Sequence, residues 1–242
     1  MITFAGRRWY VRSSTSWTGP GLNVFSSSTN NVWVDSQGML HLKITKVSGK
    51  WQCAEIFSAD TVGYGEYTFQ LASQADKIDK NAVFGMFTWD NNTFQSDGNS
   101  EIDIEFAKWG KSWLSPLLYS VQPTGSGSYT ERNYTNSGFV LNQDNSTHFF
   151  KWAPTQVSFN SYYGHGTGTP AGSWSFYDSS QPRRKIEGSR TSDLIVIPKP
   201  GTTTRLHLNL WLNDSNGDGY GDAPSDGQAV EVVVKSVDYR PL

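Results

Sequence analysis

The chain has 242 residues, 36% hydrophobic, 14% aromatic and only 17% charged, which is enough apolar material to fill the core of one all-β domain spanning residues 1–242. A formal net charge of −2 argues against a nucleic-acid partner, and the one basic cluster, Arg183, Arg184 and Lys185, reads as a solvated loop. The single cysteine, Cys53, excludes an internal disulfide and a zinc ribbon; no run reaches the ~18 apolar residues of a membrane helix, and the polar opening MITFAGRRWYVRSS lacks a signal peptide's apolar core.

Along the chain the pattern is period two, broken by turn residues. Residues 32–34 and 40–45 read as two strands joined at Asp35, Ser36, Gln37 and Gly38. Further strands follow in CAEIFSA (53–59), GEYTFQL (65–71), AVFGMFTW (82–89), EIDIEF (101–106), PLLYSVQ (116–122), THFFKW (147–152), QVSFNSYY (156–163), SWSFYD (173–178), RLHLNLWL (205–212) and AVEVVVKSVDY (229–239). Gly-, Ser- and Thr-rich stretches such as TGSGS (124–128) and GHGTGTPAGS (164–173) suit exposed connections, and SQADKIDK (73–80) is the sole helix candidate, a turn or so long. Many short strands separated by turns predict an all-β sandwich of two antiparallel sheets, of jelly-roll type.

Within EIDIEF, Glu101, Asp103 and Glu105 alternate with Ile102, Ile104 and Phe106. On a strand the apolar set faces the core and the three acids share the other face. At about 3.3 Å per residue the outer two Cα atoms lie roughly 13 Å apart. Side chains leaning together bring the carboxyls towards the roughly 5 to 5.5 Å of a retaining glycosidase. A merely wet face would mix in Thr, Lys or Arg, because like charges side by side repel; calcium binding is the other use of such a cluster. Retaining cleavage needs one ionised carboxylate as nucleophile and a second that gives and then takes a proton, while a third acid between them can hold a shared proton.

EIDIEF resembles the ExDxE signature of glycoside hydrolase family 16, in the spacing shared by bacterial lichenases and xyloglucan-active relatives. CAEIFSADTVGYGEYTFQL, THFFKWAPTQVSFNSYYG, LHLNLWLND, GRRWYVRSS and VEVVVKSVDY resemble other family segments, in the same order along almost the whole chain. The resemblance implies a jelly roll with a concave substrate cleft and a retaining endo-β-glycanase. Glu101 would be the nucleophile, Asp103 the helper acid and Glu105 the general acid/base. Glu55 falls where lichenase-like members place a Glu that hydrogen-bonds sugar hydroxyls, and Asn209 and Trp211 fall where the family lines its donor subsites. Alternation agrees about the last two, which share a strand face opposite Leu208, Leu210 and Leu212. This chain departs from the lichenase pattern at Phe57, where an Arg is common, and at Asn99, where a Trp is common. Trp89, Trp109 and Trp113 are further candidates for stacking on sugar rings.

The stretch DSNGDGYGD places Asp214, Asn216, Asp218 and Asp222 at positions one, three, five and nine of a calcium loop, with Ser225 where a bidentate Glu is expected. Either a structural calcium site or a solvated Asp/Asn/Gly turn fits that pattern. The four histidines, His41, His148, His165 and His207, lack metal-ligand spacing, and no GxSxG elbow or phosphate loop occurs. The expectation is a monomeric endo-acting β-glycanase that takes a polysaccharide, β-glucan first, requires no cofactor, can transglycosylate, and is extracellular by its family resemblance. The competing expectation is a carbohydrate-binding protein on the same fold that performs no chemistry.

Overall fold

The computed structural model describes residues 1–93, 98–122, 124, 133–136, 138–177, 183–184, 193–194 and 197–242. The strands are β1 Ile2–Phe4, β2 Arg7–Val11, β3 Val32–Val34, β4 Leu40–Val47, β5 Lys50–Gln52, β6 Ala54–Ser58, β7 Gly65–Ala72, β8 Ala82–Trp89, β9 Ile102–Ala107, β10 Leu117–Val121, β11 Asn133–Asn136, β12 Asn145–Ala153, β13 Gln156–Tyr163, β14 Gly172–Tyr177, β15 Arg183–Arg184, β16 Asp193–Leu194, β17 Arg205–Leu212 and β18 Val230–Pro241. They form two eight-stranded antiparallel sheets. One runs β1-β2-β6-β17-β8-β9-β10-β11; the other runs β14-β13-β12-β7-β18-β4-β3, with β5 paired to β4. β15 and β16 make a separate two-residue ladder, so Arg183 and Arg184 are on a strand, while Lys185 and most of TGSGS lie outside the described residues. The helix expected within SQADKIDK is a single 3₁₀ turn, Ala75–Lys77.

The two sheets differ in how their strands are buried. β4, β7 and β13 alternate buried and partly exposed positions over most of their lengths, as a sheet with one wet face must. β8, β9 and β17 are buried at nearly every position. Their inward residues, among them Phe84, Met86, Ile102, Ile104, Phe106, Leu206, Leu208 and Leu210, meet Tyr67, Phe69, Phe150 and Phe159 of the opposing sheet in one apolar cluster. Tyr67 stacks on Phe150 at 4.3 Å, and the Trp152 indole donates to the Pro198 carbonyl at 2.9 Å. Fully burying an apolar side chain of this size stabilises the fold by about 1.5 to 3 kcal/mol. The other face of β8, β9 and β17 is shielded from water because it forms the floor of a cleft.

Strands β1 and β2 escape a period-two reading of the sequence because they are short and RRWYV is crowded with charge. Their two-residue connection has Ala5 and Gly6 at positive φ (49° and 72°), the conformation a tight hairpin requires.

Candidate active site

Adjacent strands set the cleft floor out in rows. Counting across β6, β17, β8, β9 and β10, one row is Phe57–His207–Phe87–Asp103–Ser120 and the next is Glu55–Asn209–Gly85–Glu105–Leu118. Flanking rows pair Arg205 with Trp89 and Trp211 with Val83. The period of two that keeps Ile102, Ile104 and Phe106 fully buried therefore turns Asp103 and Glu105 into the cleft. Glu101, one residue before β9, also lines it, together with Glu55, Trp89, Asn209 and Trp211. This cleft has a volume of about 850 Å³. Beyond Glu105, towards β10 and β11, a second depression of about 550 Å³ is lined by Trp109, Leu118, Ser120, Gln122, Thr124 and Thr135. Trp109 meets Trp211 edge to face at 6.2 Å. Trp113 lines neither hollow and is 77% exposed.

The backbone delivering Glu101 is held in an unusual shape. Asn99 and Ser100 both have positive φ (60° and 51°), a region that side-chain-bearing residues seldom occupy. Thr88 Oγ1 donates to the Ser100 carbonyl (2.8 Å), Ser100 Oγ donates to the Lys199 carbonyl (2.6 Å), and the Asp90 amide donates to the Asn99 carbonyl (2.6 Å). Asp90 is itself buried and accepts from Thr203 and Thr204. Strain of this kind persists only where the surroundings over-determine it.

Burial first, then the charges of Asp103 and Glu105 and a hydrogen bond with Asp103, push Glu101 well above the usual carboxylate range. Burial lifts Asp103 to about 7, against the lowering effect of hydrogen bonds with Gln122 (Nε2 to Oδ2, 3.2 Å) and Glu101. Burial and the charge of Asp103 lift Glu105 to about 8. The three carboxyls titrate as one set and keep protons between them near neutral pH.

Glu55 is 4% exposed and bound on both oxygens, with Arg12 Nη1 at 2.6 Å from Oε2 and His207 Nδ1 at 2.9 Å from Oε1. Burial alone would raise its pKa, but the His207 hydrogen bond and the nearby charges of His207 and Arg12 outweigh that and hold it below the ordinary value. Asn209 is equally buried, and its Oδ1 has no partner among the described residues. Gly85 makes room for it, because a Cβ there would stand 2.6 Å from that oxygen. The Trp89 indole donates to Asn91 Oδ1 at 2.8 Å.

Asp214, Asn216, Asp218 and Asp222 lie outside this constellation. Asp214 accepts from the amides of Gly217 and Gly219, Asp218 from that of Tyr220, and Asp222 from those of Ser215 and Asn216, all at 2.7 to 3.1 Å. Their oxygens close the loop on its own backbone. Among the described residues no group of three or more His, Cys, Asp or Glu is arranged to hold a metal ion.

His207, Arg12, Arg205 and Phe87 also line the cleft, and the sequence reading did not single them out. The signal was present in RLHLNLWL, where the alternation that places Asn209 and Trp211 on one face places Arg205 and His207 there as well.

No protein-family profile matches the chain, and no curated protein does. Solved structures do. A Bacillus licheniformis β-glucanase matches at TM-score 0.63 and 21% identity, over 97% of this chain and 92% of its own. A prokaryotic β-1,3-1,4-glucanase (lichenase) from a mouse hindgut metagenome matches at 0.61 and 21%, over 99% and 96%. An immunostimulatory antigen and pseudo β-1,3-glucanase of Mycobacterium tuberculosis matches at 0.64 and 19%, over 97% and 91%. Identities this low speak for architecture, and the chain has a β-sandwich jelly-roll fold like that of lichenases and other family 16 glycoside hydrolases.

Proposed function

We propose that the protein is a retaining endo-β-glycanase acting on a polysaccharide, with β-glucan the first candidate. The observation that carries this reading is the placing of Glu101, Asp103 and Glu105 side by side on the floor of a cleft lined by Trp89 and Trp211. Glu101, ionised, attacks the anomeric carbon while Glu105 protonates the departing glycosidic oxygen. Glu105, now ionised, takes a proton from water, which displaces Glu101 and releases the sugar with its original configuration. Asp103, hydrogen-bonded to Glu101, takes up the proton that Glu101 must shed before it attacks. The depression beyond Glu105 suits the leaving portion of the glycan, and a sugar hydroxyl arriving there in place of water gives transglycosylation. We place the working enzyme outside the cell as a monomer, by family resemblance. Among the described residues no helix is long and apolar enough to cross a membrane.

Reducing-sugar release from a panel of laminarin, mixed-linkage β-glucan, xyloglucan and agarose tests the reading. Glu101→Ala is expected to lower turnover by about 10⁴-fold or more. Azide is expected to restore activity with an inverted product, since a small anion fits the vacated space. Glu105→Ala is expected to spare the first step on substrates with good leaving groups, which need no proton. A carbohydrate-binding protein without turnover is the second reading, favoured by the fold shared with the pseudo β-1,3-glucanase. Saturable glycan binding with no sugar released would establish it.

A further inference from the structure

We propose that His207 is a substrate-binding residue, its Nε2 accepting a hydrogen bond from a sugar hydroxyl, and that Glu55 acts on the glycan only through it. The inference rests on the glycanase reading of the cleft.

The arrangement begins at the rim. Arg12 Nη2 donates to Thr18 Oγ1 (3.1 Å) and to the Gly19 carbonyl (2.7 Å), both on the cleft wall, and its guanidinium lies 4.1 Å from the centre of the Phe25 ring. Its Nη1 holds Glu55 Oε2, and Glu55 Oε1 faces His207 Nδ1. The imidazole is also gripped on both faces, by Phe57 at 5.4 Å and Phe87 at 5.0 Å, with near-parallel planes. Ring position, tilt and tautomer are all fixed. Glu55 accepts a hydrogen bond from Nδ1–H, and in that tautomer the ring offers the Nε2 lone pair as an acceptor.

Nε2 has no partner among the described residues, and it is not among the buried polar atoms left without one, so it is open to the cleft that His207 lines. Glu55 also lines the cleft, but it is buried and both its oxygens are engaged. Two strand spacings, about 10 Å, separate β17 from the catalytic strand β9, with only β8 between them. His207 therefore faces the glycan residue beside the one being cleaved. The ligand chemistry is a neutral sugar presenting a hydroxyl as donor, and an acceptor aimed at that hydroxyl discriminates against a sugar lacking it.

The test is a double-mutant cycle on His207→Phe, which keeps the aromatic stack and removes both nitrogens, and Glu55→Gln. The probe is whichever of laminarin, mixed-linkage β-glucan, xyloglucan and agarose oligosaccharides the unmodified protein binds best. KM and kcat are measured in the active background, and Kd by calorimetry in the inactive Glu101→Gln background. His207→Phe is expected to raise KM and Kd about tenfold while kcat changes by less than about twofold. His207→Gln should recover part of the loss, since its amide oxygen can accept. Glu55→Gln should weaken binding less, and the double variant should bind no worse than His207→Phe alone. Additive losses would overturn the proposal, because Glu55 would then touch sugar itself, and so would unchanged affinity in His207→Phe. If the affinity pattern holds but the unmodified protein releases no sugar, hydrolysis fails as a reading and the role of His207 stands.

Discussion

At the scale of single residues, the raised pKa values of Asp103 and Glu105 have consequences for both catalysis and stability. Glu105 must carry a proton to act as acid, so activity should be lost as pH climbs through about 8. It should also fall as pH drops below about 7, where the set becomes fully protonated and Glu101 can no longer be ionised, giving a bell-shaped profile with its optimum between about pH 7 and 8. Replacing Asp103 with Asn should lower the rate without changing the anomeric outcome. For stability, a carboxyl whose folded pKa lies above its unfolded value binds its proton more tightly when folded. That contribution is complete below the unfolded value and is lost as pH rises through the folded one. The melting temperature of the unmodified protein should therefore drop between about pH 4 and 8, whereas Glu105→Gln should flatten that slope and melt higher at alkaline pH. Glu55 works in the opposite direction. Its depressed pKa stabilises the fold above the unfolded value, and that contribution is lost on acidification through the folded one.

At the scale of elements, the clamp before β9 lends itself to a mutational test. Thr88→Val keeps the shape of the side chain but leaves the buried Ser100 carbonyl without its donor. We expect kcat to fall by about tenfold with KM little changed, because a shift of a fraction of an ångström in the nucleophile is enough for that, and Thr88→Ser should restore it. The loop from Asp214 to Asp222 should give matching melting curves with calcium and with chelator, because its carboxylates are already occupied by its own amides. A calcium-dependent rise in melting temperature that Asp218→Ala abolishes would identify the loop as a calcium site. The two motifs show what a sequence can disclose at this scale. EIDIEF was readable because strand geometry converts spacing directly into a shared face. The Asp/Asn/Gly loop was not, because the same residues serve a cation or a turn according to backbone angles that spacing leaves open. His207 was hidden for a similar reason: its partner Glu55 lies on another strand, 152 residues away in sequence.

At the scale of the molecule, two long-range pairings hold the sheets together. β7 joins β18 and β6 joins β17, so strands near the start of the chain complete themselves with strands near its end. The period-two segments gave the number and positions of the principal strands. The edge strands β1, β5 and β11 were missed because short, charged or polar segments carry little alternation. Sheet order was likewise out of reach, since no local pattern encodes which strand lies beside which. The inner faces meet around Phe150, fully buried between Tyr67, Phe69 and Phe159. Phe150→Ala should destabilise the fold by about 3 to 5 kcal/mol by chemical denaturation. Because Phe150 lies on the sheet opposite the cleft floor, the variant's activity below its melting transition should stay close to that of the unmodified protein.

The row layout of the floor also divides the gene. The acids come from one six-residue strand, Ile102–Ala107, and the residue just before it. Much of the rest of the cleft lining comes from two other short stretches, Ala54–Ser58 and Arg205–Leu212, encoded far to either side. Under the proposed function, substitutions in those stretches would alter which polymer is accepted while the three acids are inherited intact. Phe57 and His207 stand opposite each other in that accepting surface, so a change at one alters the selective value of a change at the other. In lineages descended from this chain, the two positions should drift as a pair while Glu101, Asp103 and Glu105 stay still.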